Sequence, residues 1–319
     1  MTISTEHGTV TTMRFGLQLW SQQTDWRGFR DAALAAEEAG WDSIWTWDHL
    51  LAIFGPWEQP NFEGWMVLAG LAPLTRKVRL GLMVGANTFR NPGHTAKLAT
   101  TLDHLSDGRA VLGIGGAWFD REHEAFGIPF GETPGWRLNR LDEAVMLMRR
   151  LLDGERFSHD GPAYQFRDAI CEPRPVQPHL PILIGGSGRR KTLRTVAERA
   201  DAWNTSGDLD TVGETLDTLQ GHAAAVGRDL STLEMTVSFP IIIRPTAAGA
   251  EVRYGELLAA NGTPDMGHGP VLLGPPGLVA DRIRPYQALG FETVIVRTPA
   301  PYDRETIERM AEVQALLAT

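Results

Sequence analysis

The feature of this sequence that most constrains its fold is an eightfold alternation of short apolar runs with amphipathic stretches. The runs are rich in β-branched residues, as buried strands are, and the stretches between them carry apolar residues at helical spacing. Strands are predicted at Met13–Trp20, Ser43–His49, Val78–Asn87, Arg109–Gly115, Pro181–Gly185, Ala202–Thr205, Leu233–Ile243 and Glu292–Arg297. Eight βα units without a break in composition predict an α/β fold of the (β/α)₈ TIM-barrel type, as one domain over residues 13–319.

A doubly wound open sheet is the competing arrangement. It would carry a glycine-rich phosphate loop after its first strand, and the segment Leu19–Gln23 contains no glycine. The length beyond a minimal barrel falls at residues 50–62, 118–136, 155–180 and 244–275. The first two and the last follow strands 2, 4 and 7, so we expect them as insertions at the C-terminal mouth, where barrel enzymes build their sites. The third contains a hairpin pattern, Phe157–Phe166, and is predicted on the opposite face.

Charge and composition exclude several classes of partner and site. A net charge of −9 and a pI near 5.5 argue against nucleic acid and against an anionic membrane surface, since both require a positive face. No apolar run approaches the roughly 18–20 residues that span a bilayer. The segment Met1–Thr12 lacks a signal-peptide pattern and is predicted to be a disordered leader, so a cytoplasmic protein is expected. One cysteine, Cys171, excludes an internal disulfide and a multi-cysteine zinc site, and the histidines show no metal-ligand spacing.

The best candidate for acid–base chemistry is His49, in the segment Trp45-Thr46-Trp47-Asp48-His49 that ends strand 2. A histidine at the C-terminal end of a barrel strand faces the mouth, where it can donate or accept a proton near neutral pH. The alternative is a histidine that serves packing alone, and the position at a strand end makes the two interpretations about even.

Two further strands end in small residues. Strand 3 ends in Met83-Val84-Gly85-Ala86-Asn87, and strand 4 ends in Gly113-Ile114-Gly115-Gly116-Ala117-Trp118. Glycines at a strand exit permit close approach by a planar ligand, although they also occur for purely steric reasons.

The sharpest local signal is Gly185-Gly186-Ser187-Gly188, which follows strand 5 and precedes Arg189-Arg190-Lys191 and a helix predicted from Arg190. Free backbone N–H groups at a helix start bind phosphate, and the basic residues favour it further. The spacing does not fit a Walker loop. A phosphate-binding loop is favoured over a plain tight turn.

Surplus aromatic residues at the predicted loops indicate a pocket for a flat, partly apolar ligand. The chain has ten tryptophans, and the candidate pocket walls are Trp20, Trp47, Trp65 and Trp118. Glu63, at the start of helix 2, is a further candidate for the mouth, although a carboxylate there more often serves the helix dipole.

Several of these segments together resemble the luciferase-like monooxygenase superfamily, and within it the branch that uses the deazaflavin coenzyme F420. The segments that carry the resemblance, in the same order along the chain, are Trp47-Asp48-His49, Asn87-Thr88-Phe89-Arg90-Asn91-Pro92, Leu102-Asp103-His104-Leu105-Ser106-Asp107-Gly108-Arg109, Gly113–Trp118 and Gly185–Gly188. The resemblance covers about Met13 to Leu317.

The resemblance implies a barrel with a long insertion after strand 7, assembled as a homodimer. It implies a deazaflavin ring across the mouth, with its phosphate near Gly185–Gly188, and a cis peptide bond at Met83–Val84 pressed against the ring. The cofactor-binding residues that follow from it are Asp48, Met83, Val84, Gly85, Asn87, Gly115, Gly116, Ala117, Gly185, Gly186, Ser187 and Gly188. His49 matches the histidine beside the reactive ring carbon. Where sugar-phosphate dehydrogenases of this branch carry a glutamate, this chain has Trp118, which makes a sugar-phosphate substrate doubtful.

The function expected from these observations is hydride transfer between deazaflavin C5 and a small organic substrate, such as an activated C=C, C=N or C=O group or an alcohol. His49, or a water that it orients, exchanges the accompanying proton. Three alternatives stay open: an FMN-dependent two-component monooxygenase, a non-catalytic flavin-binding protein, and a phosphosugar enzyme without a cofactor.

Overall fold

The computed structural model describes residues 13–318, so the predicted leader, residues 1–12, lies outside the described part. The strands are β1 (Arg14–Leu19), β2 (Ser43–Thr46), β3 (Arg79–Leu82), β4 (Gly85–Ala86), β5 (Ala110–Gly115), β6 (Phe157–Asp160), β7 (Gln165–Ala169), β8 (Ile182–Gly185), β9 (Ala202–Thr205), β10 (Glu234–Phe239), β11 (Ile241–Ile243), β12 (Leu272–Gly274) and β13 (Thr293–Thr298).

The helices follow the strands along the chain. They are α1 (Trp26–Glu38), α2 (Gly64–Leu71), α3 (Pro92–Leu105), α4 (Asp120–Phe126), α5 (Pro134–Leu152), α6 (Thr192–Arg199), α7 (Leu209–Val226), α8 (Ala247–Asn261), α9 (Pro276–Ala288) and α10 (Arg304–Leu317). None of the helices within residues 13–318 has the length and apolarity that crossing a membrane requires.

A closed parallel barrel confirms the predicted fold class. The hydrogen-bonded order of the strands is β3-β2-β1-β13-β10-β9-β8-β5, and pairing of β3 with β5 closes the ring. β4 continues β3 and also pairs with β5. Helices α4 and α8 lie within the insertions 118–136 and 244–275, and the other eight helices alternate with the barrel strands.

The barrel interior is filled by inward-facing side chains. They are Trp45, Val111, Leu183, Ala202 and Ile295 from five strands, and Met83 from the break between β3 and β4. Trp45 is the largest, and a Cβ at Gly16 or Gly81 would lie within 2.7 Å of its indole. These two glycines therefore leave the volume that one tryptophan fills. The outer strand faces and the helices form a second, larger core.

Three predicted strands end or break earlier than expected. β2 ends at Thr46, so Trp47–His49 lies in the loop that follows it. The predicted strand 3 is interrupted at Met83–Val84, where the peptide bond is cis as the resemblance implied. The predicted strand 7 divides at Pro240, which has no N–H for the ladder, and β11 leaves the barrel to pair with β12.

The predicted hairpin exists, but its position differs from the expectation. β6 and β7 are antiparallel, and the turn between them carries Tyr164 up to the end of β4, where its Oη accepts a hydrogen bond of 3.2 Å from Asn87 Nδ2. Placement of the hairpin on the opposite face was therefore wrong. The reason is that the pair runs up the outside of the barrel, with Phe166 against Gly93 at the start of α3.

Candidate active site at the barrel mouth

His49 is clamped by a carboxylate that sequence reasoning did not identify. Its Nδ1 lies 2.9 Å from Oε1 of Glu122 on α4, and Oε2 of Glu122 accepts a hydrogen bond of 2.8 Å from the Leu50 N–H. The Glu122 side chain is 1% exposed and the His49 side chain 15% exposed. Within the described chain, Nε2 of His49 makes no hydrogen bond. The pair therefore leaves one ring nitrogen free for a ligand.

Aromatic rings surround His49 on several sides. The rings of Trp47, Trp118 and Phe119 stand edge-on to the imidazole, with centroids 5.8, 5.4 and 6.0 Å away. Trp118 is 63% exposed, so a large apolar surface stands beside the histidine and open to solvent. Such a surface favours a partly apolar ligand next to the imidazole.

Val84 forms a shelf between two glycines at the mouth. A Cβ at Gly115 would lie 2.8 Å from one Val84 methyl, and a Cβ at Gly185 would lie 2.9 Å from the other. The carbonyl of the preceding residue, Met83, accepts a buried hydrogen bond of 2.8 Å from Gln18 Nε2. Gly115, predicted beneath a planar ring, and Gly185, predicted in the phosphate loop, therefore also make room for Val84, which stays partly exposed.

The carboxylates of Asp48 and Glu63 both bind Arg90. Asp48 meets the guanidinium at 2.6 and 2.9 Å and accepts the Ala86 N–H at 2.9 Å, while Glu63 meets it at 2.9 Å. Glu63 also caps α2 through the Met66 N–H. Burial raises the pKa of the Asp48 carboxyl, and the charge and hydrogen bonds of Arg90 oppose that shift. This network fixes the chain after β4, and it keeps both predicted site carboxylates engaged within the protein.

The other predicted tryptophans lie deeper than Trp118. Trp20 is fully buried and stacks on Phe54 at 4.3 Å, with Trp47 packed against both rings. Trp65 is also buried. Phe54 comes from the insertion 50–62, and its contribution was not evident from the sequence. The buried tryptophan rings therefore pack beneath the mouth and do not form its exposed wall.

Asn87 and Ala117 hold the strand exits together. Asn87 is buried, donates its backbone N–H to the Gly115 carbonyl at 3.1 Å and directs its amide to Tyr164. Ala117 has a φ of 60°, and its carbonyl accepts a bond of 3.3 Å from Arg137 Nε. The backbone around the Gly115–Ala117 segment is therefore fixed by α5 and by the hairpin.

The loop Gly185–Lys191, called the open loop below, is exposed from Gly186 onward and joins β8 to α6. Gly186 has a φ of +125°, which favours glycine. None of the backbone N–H groups of residues 187–191 donates a hydrogen bond to an acceptor in the described chain. The helix begins at Thr192, two residues later than predicted, because the turn continues through Lys191. An array of free N–H groups of this kind suits an anion.

Basic side chains accompany the open loop. Arg189 pairs with Glu214, whereas Lys191 donates to the Gly135 carbonyl and to Asn139. Across residues 13–318, neither Arg190 nor Lys191 has a carboxylate within salt-bridge distance. No cluster of three His, Cys, Asp or Glu side chains suited to a metal ion occurs in the same range.

Two known proteins are similar to this chain in sequence. An uncharacterized Mycobacterium tuberculosis protein is 37% identical over 170 residues, which cover 53% of this chain and 58% of that protein, less than two thirds of its length. A Microbacterium testaceum protein named F420-dependent glucose-6-phosphate dehydrogenase is 34% identical over 240 residues, 71% of this chain and 68% of that one.

Solved structures confirm the fold. The coenzyme F420-dependent tetrahydromethanopterin reductase of Methanopyrus kandleri aligns with a TM-score of 0.77 at 20% identity, covering 94% of this chain and 97% of that one. An F420-dependent secondary alcohol dehydrogenase in complex with an F420-acetone adduct gives 0.79 at 18%, covering 95% and 98%. A riboflavin lyase with modified FMN gives 0.80 at 18%, covering 96% and 91%.

The family model for luciferase-like monooxygenases matches residues 5–263, which is most of the chain. This match includes His49, Glu122, Val84 and the open loop, whereas β12 and β13 lie beyond it. The chain belongs to the luciferase-like monooxygenase family.

Proposed function

We propose that this protein is an F420-dependent oxidoreductase that exchanges a hydride between the deazaflavin and a small organic substrate at the barrel mouth. The observation that carries the proposal is that three features follow the C-terminal ends of barrel strands: His49, with a free Nε2, after β2, the Val84 shelf between β3 and β4, and the open loop after β8. The Microbacterium relative named as F420-dependent supports the choice of cofactor.

The residues present fit a phosphate-bearing planar cofactor. The free N–H groups of residues 187–191, with Arg190 and Lys191, would hold a phosphate. Val84, between Gly115 and Gly185, would support one face of the ring. When bound, the deazaflavin supplies a two-electron hydride donor or acceptor.

The remaining chemistry belongs to the protein. When an alcohol is the substrate, Nε2 of His49 accepts the hydroxyl proton while the carbon gives up its hydride, and in the reverse direction Nε2 returns the proton. Trp118 and Phe119 cover the histidine with apolar surface, which limits access of water to the reacting groups. Trp118 also favours a substrate with an apolar part over a sugar phosphate.

The test of the cofactor is a titration of the apo-protein, with tryptophan fluorescence as readout, against F420 and FMN in parallel. FMN is included because the riboflavin lyase of the same fold holds a modified FMN. Quenching by F420 at concentrations about tenfold lower than FMN, a difference of roughly 1.4 kcal/mol, supports the proposal. A preference for FMN would move the protein to the flavin enzymes, and binding of neither would overturn the cofactor assignment.

The test of the reaction is a screen in which absorbance of oxidised F420 is followed with secondary alcohols and with glucose 6-phosphate. Reduced F420 is then screened with activated alkenes, imines and carbonyl compounds. Turnover without oxygen consumption supports hydride transfer, whereas oxygen-dependent turnover would indicate a monooxygenase. The homodimer and the cytoplasmic location stay predictions, and sedimentation velocity measures the first.

A further inference from the structure

We propose that Glu122 is a positioning residue that sets the tautomer of His49, with the proton on Nδ1 and the lone pair on Nε2. The catalytic consequence of this inference rests on the proposed function, but the tautomer itself does not. Three observations carry the inference: the burial of Glu122, the use of both of its oxygens, and the free Nε2.

The first step is the identity of the donor between the two side chains. An ionised carboxylate accepts hydrogen bonds and has none to donate. Oε1 of Glu122 lies 2.9 Å from Nδ1, so Nδ1 is the donor and carries the proton. The carboxylate is 1% exposed, so water does not compete for this position.

The second step concerns the other oxygen. Oε2 accepts the Leu50 N–H at 2.8 Å, and a backbone N–H is a donor that cannot reverse. Leu50 follows His49 in the chain, so Glu122 holds the histidine by its ring and by the adjacent backbone. The contact spans 73 positions of sequence and ties α4 to the end of β2.

The third step is the state of Nε2. With the proton on Nδ1, the neutral imidazole presents a lone pair at Nε2, and the protonated ring is paired with the carboxylate. A catalytic histidine held in this way exchanges protons through Nε2 without rotating. Among residues 13–318 nothing bonds to Nε2, and the ring stands beside exposed Trp118.

The geometry makes the Glu122→Gln substitution informative. The carboxamide has the same shape, but its oxygen must accept the Leu50 N–H, which turns its NH₂ group toward Nδ1. Nδ1 must then accept, so the proton moves to Nε2. The substitution should therefore invert the tautomer while it preserves the packing.

The chain offers a matched control in Glu143. Its Oε1 lies 2.9 Å from His159 Nε2, and its two oxygens accept the N–H groups of Tyr164 and Ala163 at 3.1 Å each. This pair has the same chemistry but joins α5 to the hairpin. Glu143→Gln should leave His49 unchanged.

The experiment is long-range ¹H–¹⁵N correlation spectroscopy on deuterated, ¹⁵N-histidine-labelled apo-protein at alkaline pH, with His49 assigned from the His49→Gln variant. We expect the Nδ1–H form of His49 in the wild type and in Glu143→Gln, and the Nε2–H form in Glu122→Gln. An Nε2–H form in the wild type, or no change in Glu122→Gln, would overturn the inference. Should Glu122→Gln fail to fold, the wild-type spectrum decides alone.

Turnover supplies the second readout, with the best substrate of the screen above. Glu122→Gln should lower kcat by roughly 10²–10⁴-fold, the range for loss of a general acid–base group, because Nε2 no longer presents a lone pair. The F420 Kd should stay within about twofold, and Glu143→Gln should match the wild type in both. Unchanged kcat in a variant with an inverted tautomer would remove the catalytic role. Absence of any turnover in the wild type would overturn the proposed function while the tautomer result stands.

Discussion

Two regions of the barrel mouth use charge in opposite ways. On the buried side, defined by Asp48, His49, Arg90 and Glu122, each ionisable group has a partner within 3 Å, and the carboxylates are withdrawn from solvent. In the open loop, the successive N–H groups of residues 187–191 have no acceptor in the described chain, and the side chains are exposed.

The difference separates two tasks. A buried, fully paired network costs desolvation on folding, and in return it holds its groups in one geometry before a ligand arrives. An exposed array of N–H donors is solvated in the free protein and gains its partner from the ligand. Substitutions on the buried side should therefore change turnover or stability, and substitutions in the open loop should change binding.

The largest expected effect is on turnover, from His49→Gln. Loss of a general acid–base group lowers kcat by roughly 10²–10⁴-fold, while the F420 Kd should hold because the open loop is intact. Steady-state rates and a fluorescence titration measure the two quantities. His159→Gln is the control, since that histidine is held by Glu143 outside the mouth. A parallel loss of F420 affinity in His49→Gln would contradict the assignment of turnover to the buried side and of binding to the open loop.

The next largest effect is on stability, from Arg90→Met. It leaves the buried Asp48 carboxylate without its cation, and removal of one partner of a buried pair lowers the free energy of unfolding by about 3–5 kcal/mol. Arg189→Met, which breaks the exposed pair with Glu214, should cost roughly 1 kcal/mol or less. Urea denaturation compares them. Equal midpoints would show that the Asp48 network contributes no more than a surface pair.

Local sequence patterns were sufficient for the fold and insufficient for its departures from regularity. Alternating periodicities predict the eight βα units because strand and helix burial depend on neighbours within a few residues. Pro240 is a local signal for the division of strand 7, because proline cannot donate a ladder hydrogen bond. The path of the hairpin had none, since the Tyr164 contact with Asn87 joins residues 77 positions apart.

The residues of the candidate site likewise fall into those that a local sequence pattern marks and those that it does not. His49 and the open loop could be proposed from the sequence because strand ends and glycine turns mark them locally. Glu122 was missed because acidic residues in a first helical turn are common, and its partner lies on another βα unit. Trp20 was expected at the pocket surface, but Phe54 from the insertion 50–62 covers it. Long-range pairing within irregular insertions leaves no periodic trace in the sequence.

A smaller effect, on binding, is expected from Gly186→Ala. The φ of +125° at this position disfavours any Cβ, so the variant should shift the backbone that directs the N–H groups. We expect the F420 Kd to rise about tenfold, with kcat at saturating cofactor unchanged. Gly213→Ala, on α7 with open space around its Cβ position, is the control. A fall in kcat at saturation would mean that the open loop also orients the reacting groups.

The smallest expected effect is a pH dependence of the free energy of unfolding, caused by His123 of α4, which follows Glu122 in the chain. Its Nδ1 donates to the Phe119 carbonyl at 2.8 Å, and in the neutral ring its Nε2 accepts a hydrogen bond of 2.7 Å from Thr88 Oγ1. Burial lowers the pKa of His123 below its ordinary value of 6.5.

As the pH falls, His123 therefore becomes protonated at a higher pH in the unfolded chain than in the folded protein. The contribution to stability is complete above pH 6.5 and is lost as the pH drops from there through the lowered folded value. One proton limits the slope to about 1.4 kcal/mol per pH unit. Urea denaturation across this range should show the slope in the wild type and in His94→Gln, an exposed control on α3, but less of it in His123→Gln. An equal slope in all three proteins would assign the acid sensitivity to other groups and leave the bond to Thr88 without a measurable role.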